Sequence, residues 1–322
     1  MTKQQLASKI WETANSLRSK IKANEYKDYI LGFMFYKYLS DEEEKQFSKE
    51  DLKKVDEDDI AYIKDKIGYY IAYEDLFSTW KDLELKLGAA EVSEALTRFN
   101  RNIKNVYKKV FDNIFSTLQG GLSKLGDSSG SRDKAVRDIV ELIDDIPTTN
   151  NTYDVLGYIY EYLIYKFSTA AKDDGSFYTP HEVSSLIARI VADALKDKKE
   201  LNVYDPTSGS GSLLLNIGKE AGKYIDKDNI NYYGQEKITE TYHLTRMNLI
   251  MKGVKVSNIF VRNGDTLADD WPYFDETTEY KPLSVDAVVS NPPYSLNYDS
   301  SVVEHDPRFK YGVAPDGKAD YA

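Results

Sequence analysis

Leu201-Asn-Val-Tyr-Asp205-Pro-Thr-Ser-Gly209-Ser-Gly211-Ser212 passes from a short apolar run into a glycine turn, and a helical pattern follows. Residues 201–204 read as a strand and the residues through about 221 as a helix. The alternation then continues: a strand over 231–234, a helix through about 251, and strands over 256–261 and 285–290. Strands alternating with helices predict a doubly wound, mostly parallel, Rossmann-like α/β sheet. In such a sheet the turn after the first strand lies at the carboxyl edge, where ligands bind. Glycines let the backbone approach a ligand closely, and a helix N-terminus offers free N–H groups. Two nucleotide signatures fail. The dinucleotide pattern needs a third glycine at Leu214, and a P-loop ending in Gly218-Lys219 needs a glycine at Leu213. A purely structural glycine turn fits the same residues.

Upstream the chain reads as helical. Leu6, Ile10, Ala14, Leu17 and Ile21 step by three and four, and residues 29–39 form a more buried helix. The charged stretch 41–59 is expected to be solvated helix and loop rather than a partner-binding arm. Helical patterns follow over 60–71, 92–100, 103–118 and 133–143, with a Gly/Ser-rich loop over 120–131 and a break over 147–151. A strong helix is expected over 153–167. The reading is a helical domain over 1–150 and a sheet-bearing domain over 151–322.

Composition narrows the function classes. The 322 residues are 41% hydrophobic and 30% charged, enough apolar mass for a core. There is no cysteine, which excludes disulfides and thiolate metal sites, and the three histidines lie far apart, so no metal is expected. No apolar run reaches membrane-spanning length and the N-terminus lacks an apolar signal core, so a cytoplasmic location is expected. The net charge of −11 argues against a solitary DNA binder, since phosphate contacts favour basic surfaces. It leaves room for a subunit held on DNA by a basic partner. The 26 tyrosines are read mainly as amphipathic packing.

Four further signals surround the glycine turn. Gln235-Glu236 ends the second strand, where an acid can accept hydrogen bonds from both hydroxyls of a ribose, or simply face solvent. Asn263-Gly-Asp265 follows the third strand as a cofactor contact or as ordinary turn chemistry. Ser290-Asn291-Pro292-Pro293-Tyr294 follows the fourth. Its prolines end the strand and lock the backbone, placing a polar side chain, a carbonyl and an aromatic ring at the sheet edge. Gly175-Ser176-Phe177-Tyr178-Thr179-Pro180 precedes the first strand. Ser176 or Thr179 can cap the next helix and Pro180 suits its first turn, or Phe177 and Tyr178 can face a cofactor.

In this order the motifs resemble those of amino-group DNA methyltransferases of the gamma group. With the long helical N-terminus, they resemble the modification subunit of a type I restriction–modification system over nearly the whole chain. The resemblance implies S-adenosylmethionine as cofactor. Ser176, Phe177, Tyr178, Thr179, Pro180 and His181, with Ser208, Gly209, Ser210, Gly211 and Ser212, would line its site. Asp205 would lie near its methionine end, Pro206 would belong to the same site, Glu236 would hold its ribose and Asp265 would lie near its adenine. Asn291 and Pro292 would hold the amino group of a flipped adenine, with Pro293 stiffening the loop and Tyr294 stacking on the base. The implied partners are DNA, a specificity subunit, a restriction subunit and a second modification subunit. Ser208 and Ser212 stand where the family often has cysteine or alanine, and glycine; both are small enough to keep the site. The family's sheet has further strands and a C-terminal helical region, so the chain is expected to be truncated and the isolated piece to have little or no activity. Protein glutamine methylation, cytosine-N4 methylation and a non-catalytic assembly role are the competing readings.

Overall fold

The computed structural model describes residues 3–17, 23–82, 86–144, 146, 159, 162–166, 179–268, 283–294, 296–303 and 306–319. The chain divides into two compact units, Met1–Asp173 and Asp174–Ala322. Among the described residues no helix is long and apolar enough to cross a membrane.

The first unit is helical: α1 Lys3–Leu17, α2 Ala23–Gln46, α3 Lys49–Leu52, α4 Glu57–Ile67, α5 Phe77–Asp82, α6 Ala89–Arg101, α7 Lys108–Phe111, α8 Ser116–Gly121 and α9 Ser129–Asp144. Helix α2 is the hub. Its residues from Tyr29 to Leu39 are almost all buried, because the run is apolar on every face and must be surrounded. Tyr36 stacks on Trp80 at 4.6 Å with ring planes 3° apart, and Phe99 and Phe115 meet Tyr36 edge-on. Close packing explains Gly121 in α8: a Cβ there would lie 1.9 Å from the Tyr29 ring. Arg98 grips the buried Asp75 through two bonds of 2.6 and 2.7 Å, the fork geometry that best compensates a buried carboxylate. Helix α4 opens with a reciprocal capping box between Asp56 and Asp59 and closes on left-handed Gly68.

Three expectations change here. The charged stretch 41–59 is not wholly solvated: α2 runs on into it as far as Gln46, and Glu43 is fully buried, accepting the Ile71 N–H at 2.9 Å. The pattern over 103–118 is not one helix. Asn113, at φ 53°, separates α7 from α8, its N–H held by Asn100 Oδ1 at 2.9 Å. The Gly/Ser-rich 120–131 is mostly helical, with α8, a 3₁₀ turn Leu122–Leu125 and α9 leaving only a short gap. The break at 147–151 and most of the helix over 153–167 lie outside the described residues, though 162–166 are helical.

The second unit carries α10 His181–Ala194, β1 Leu201–Asp205, α11 Ser212–Ala221, β2 Ile230–Glu236, α12 Thr239–Met251, β3 Ile259–Asn263, β4 Ala287–Val288, and a small hairpin of β5 Asn297–Tyr298 with β6 Gly317–Lys318. The main sheet is parallel, in the order β3-β2-β1-β4. Along β1, Leu201, Val203 and Asp205 are buried while Asn202 and Tyr204 are half-buried, the period-2 signature of a strand. The expected strand at 256–261 begins later, since Val256–Asn258 is a 3₁₀ turn. The Asn258 amide donates to Asp228 O and Ile230 O there, tying the turn to β2. Strand β4 is two residues rather than six, extended by the Asp286 and Val289 N–H bonds to Asn202 O and Tyr204 O.

Burial raises the Glu43 carboxyl to about 9, so it holds its proton in the fold. An unfolded glutamate ionises near 4.5, so this group's contribution to stability falls as pH rises from about 5 to about 9. Glu43→Gln keeps an acceptor for Ile71 and removes that slope. Its thermal midpoint should match the wild type near pH 5 and exceed it by roughly 2–8 °C near pH 8. Equal pH slopes for the two proteins in thermal melts would refute the assignment.

Candidate functional site

The sheet reverses its winding at β1: β2 and β3 follow on one side and β4 returns on the other. Such a switch point opens a crevice at the carboxyl ends of the strands. Asp205 ends β1, opposite Gly234 of β2, and the glycine turn runs directly from it into α11. Gly209 and Gly211 have φ of 54° and 77°, left-handed values that L side chains rarely adopt. A Cβ on Gly211 would also press Thr245 Cγ2 at 3.1 Å, while one on Gly209 meets only Thr207 O at 3.9 Å, so the turn presents bare backbone there. The Ser208 N–H donates to Gln235 O at 2.9 Å and the Gly211 N–H to Ser208 O at 2.7 Å. Ser208 is buried, and Ser212 is the first residue of α11.

Two carboxylates sit beside this turn. Asp205 is 1% exposed, and burial lifts it to about 7; Glu236 adds repulsion, and the Thr207 N–H, donating to Oδ1 at 3.0 Å, pulls the other way. Glu236 accepts the Gly209 N–H on Oε2 at 3.0 Å and the Ile238 N–H on Oε1 at 2.9 Å. Burial raises it too, opposed by those backbone bonds. Asp265 follows β3, whose Asn263 pairs with Glu236 in the sheet. It forms an ion pair of 2.7 Å with Lys237 and accepts the Leu267 N–H at 3.1 Å.

Across the crevice, Ser290 shares a hydrogen bond of 2.7 Å with Thr207 Oγ1. The next residue, Asn291, donates from Nδ2 to Thr179 Oγ1 at 3.1 Å. Pro292 and Pro293 are exposed, and Tyr294 is 64% exposed, a ring open for contact. Thr179 is buried and does not cap α10, whose N-cap is Pro180 without a side-chain bond. His181 opens α10. Ser176, Phe177 and Tyr178 lie outside the described residues.

Several residues here were not singled out from the sequence. Thr245 on α12 donates to Gly209 O, and Asn248 donates to Ser210 O at 2.9 Å, so the glycine turn is held from behind. Thr266 donates to Pro206 O. Arg308, paired with Asp306, donates to Thr266 O at 2.7 Å and Leu267 O at 3.3 Å. The sequence carried little signal for them: α12 mixes Thr245, Arg246 and Asn248 with Leu244, Met247 and Leu249, so nothing marks the pair.

These groups fit S-adenosylmethionine. Buried Asp205 suits a cationic amino group, Glu236 suits a diol, and the open backbone at Gly209 admits close approach.

Comparison with known proteins agrees. The N-6 DNA Methylase family profile matches residues 151–322, and the HsdM N-terminal domain profile matches residues 6–143. The chain is 32% identical over 351 residues to the type I restriction enzyme MpnII methylase subunit of Mycoplasma pneumoniae, covering 98% of this chain and 63% of that protein. It is 28% identical to the MjaIX methylase subunit of Methanocaldococcus jannaschii, covering 98% of this chain and 56% of that protein. It therefore spans a little over half of these relatives. Among solved structures, the type I restriction-modification methyltransferase subunit from Streptococcus thermophilus superposes with a TM-score of 0.84 at 33% identity, over 100% of this chain and 70% of that one. With one profile across the sheet-bearing half and the other across the helical half, the chain belongs to the N-6 DNA methylase family, among the modification subunits of type I restriction–modification systems.

Proposed function

We propose that the complete protein transfers a methyl group from S-adenosylmethionine to the N6 amino group of adenine in DNA. A specificity subunit would choose the sequence, and a second modification subunit and a restriction subunit would join the assembly. The observation that carries this reading is Asn291 at the switch point of the sheet, its amide nitrogen bonded to Thr179 and its oxygen without a partner among the described residues.

An adenine amino nitrogen is a poor nucleophile because its lone pair is delocalised into the ring. Asn291 Oδ1 and the Pro292 carbonyl can accept its two hydrogens, favouring a pyramidal nitrogen with its lone pair freed. The proline pair after Asn291 restrains that backbone. Tyr294 offers an exposed ring to a base taken out of the duplex, offsetting part of the unstacking. Asp205, Glu236 and the glycine turn bind the cofactor, and Ser210, Gly211 and Ser212 line its site. When bound, S-adenosylmethionine supplies an electrophilic methyl on a sulfonium. Rate enhancement then comes from positioning and electrostatics, with no strong base required. The net charge of −11 fits a subunit whose grip on DNA comes through a partner.

Co-expression of the complete protein with its specificity subunit should place N6-methyladenine in host DNA, read by mass spectrometry of nucleosides. Asn291→Ala should lower the methylation rate on the order of 10²–10³-fold. N4-methylcytosine in its place would overturn the target base. No modified base from a folded complex would support a non-catalytic role.

The Asp205 carboxyl, held near 7, gives a second test. A cationic amino group binds the ionised form, so affinity for S-adenosylmethionine should rise between about pH 6 and about pH 8, with proton release at the lower end. Asp205→Asn should flatten that profile in titration calorimetry. A wild-type affinity independent of pH over this range would remove Asp205 from the cationic end of the cofactor.

A further inference from the structure

Asn291 and Thr179 stand 112 positions apart and meet at one hydrogen bond, from the Asn291 amide nitrogen to the Thr179 hydroxyl oxygen at 3.1 Å. An asparagine amide has two faces. Rotated by half a turn about its terminal bond, it exchanges an acceptor for a pair of donors. The group it must hold, an amino nitrogen with two hydrogens, is itself a donor. One orientation therefore binds the target, and the other sets N–H against N–H. A hydroxyl can accept from the amide nitrogen or donate to the amide oxygen, so a bond to one restrains where the amide lies.

We infer that Thr179 is the positioning residue that holds the Asn291 amide in place for the target, an inference that rests on Asn291 being the group that receives the target amine. In the orientation seen here the Thr179 hydroxyl accepts from Nδ2, so Oδ1 is the amide atom it does not engage. Thr179 suits the task because it is anchored. It is 9% exposed and precedes Pro180, whose carbonyl accepts the Ser184 N–H at 3.0 Å in the first turn of α10. The Ser184 hydroxyl in turn accepts from Asn216 Nδ2 on α11 at 2.7 Å, fastening the start of α10 to the helix that begins at the glycine turn. Asn291, by contrast, lies in the loop after a strand of two residues. Its chain neighbour Ser290 is held by Thr207 at 2.7 Å. The side chain of the preceding residue is thus tied to the glycine turn and that of Asn291 to the start of α10. Family resemblance groups Thr179 with the cofactor-side residues, but its hydroxyl here accepts from the amide of the Asn-Pro-Pro-Tyr motif.

The test is single-turnover methylation by the complete protein in complex with its specificity subunit, with dissociation constants for S-adenosylmethionine and DNA measured separately. Thr179→Val keeps the shape and removes the acceptor. It should lower the single-turnover rate about tenfold to a hundredfold, the scale of a misplaced reacting group, while both dissociation constants stay within about threefold. Thr179→Ser retains the hydroxyl and should recover most of the rate, a rescue that a purely packing role would not give. Thr179→Ala carries the same test if the valine variant fails to fold, as judged by circular dichroism. A wild-type rate in the variant lacking the hydroxyl overturns the inference. So does a loss confined to S-adenosylmethionine affinity, which would return Thr179 to the cofactor site. Asn291→Ala runs alongside: a wild-type rate there would sink the assignment of Asn291 itself, independently of how the Thr179 variants behave.

Discussion

The parallel pairing of β1 with β2 on one side and β4 on the other brings the site groups to one edge of the sheet. The register runs from Leu201 opposite Ile230 to Asp205 opposite Gly234, and Val203 and Tyr204 face Ala287 and Val288. Parallel strands end on the same side, so Asp205, Glu236, Asn263 and Ser290 all arrive at that edge. A slip of one residue in β1 would turn its buried set outward and carry Asp205 with it, because side chains alternate with period 2. The core residues Leu201 and Val203 therefore hold the buried carboxylate in place as well as the strand.

That placement is electrostatically uncomfortable. Asp205 and Glu236 are both raised by burial, and their mutual repulsion adds to the effect at Asp205. Neither has the guanidinium fork that Arg98 gives Asp75 in the helical unit. They lean instead on the backbone N–H groups of Thr207, Gly209 and Ile238. Acids raised by burial in a crevice and compensated in part by backbone donors are a signature of a binding site, since a ligand with complementary charge or donors completes the compensation.

A glycine turn free enough to approach a ligand is also free to wander. Side chains at a second remove limit it. Thr245 and Asn248 hold the carbonyls of Gly209 and Ser210, and Thr266 holds that of Pro206. Arg308, beyond the Asn-Pro-Pro-Tyr motif, fixes the turn containing Thr266 and Leu267. Cofactor-side and substrate-side segments therefore share a hydrogen-bonded frame. Along the strands, the residues alternating with the buried set (Asn202, Tyr204, Tyr233 and Phe260) are only half-buried, and Tyr233 and Phe260 stack at 4.7 Å. The aromatic rings let these positions serve a strand without complete burial.

Local chemistry made much of this legible from the chain alone. Residues 201–212 announce strand, turn and helix because apolar periodicity and glycine act over a few residues, and Asn-Pro-Pro-Tyr is read from the rigidity of proline. The helical character of the first unit followed from periodicity in the same way. Contacts distant in sequence were not legible. That Glu43 is buried within a charged run, that Asn113 breaks a helix against Asn100, and that the glycine-rich 120–131 stays helical under Tyr29 all depend on what packs opposite. So do the bonds from Thr245 and Asn248 to the glycine turn and from Asn291 to Thr179, each joining residues 36 to 112 positions apart. Sequence determined which side chains the site has at its disposal, because strand ends and turns are local. The orientation of those side chains was decided only by the tertiary structure, because hydrogen-bond partners are chosen by proximity in space.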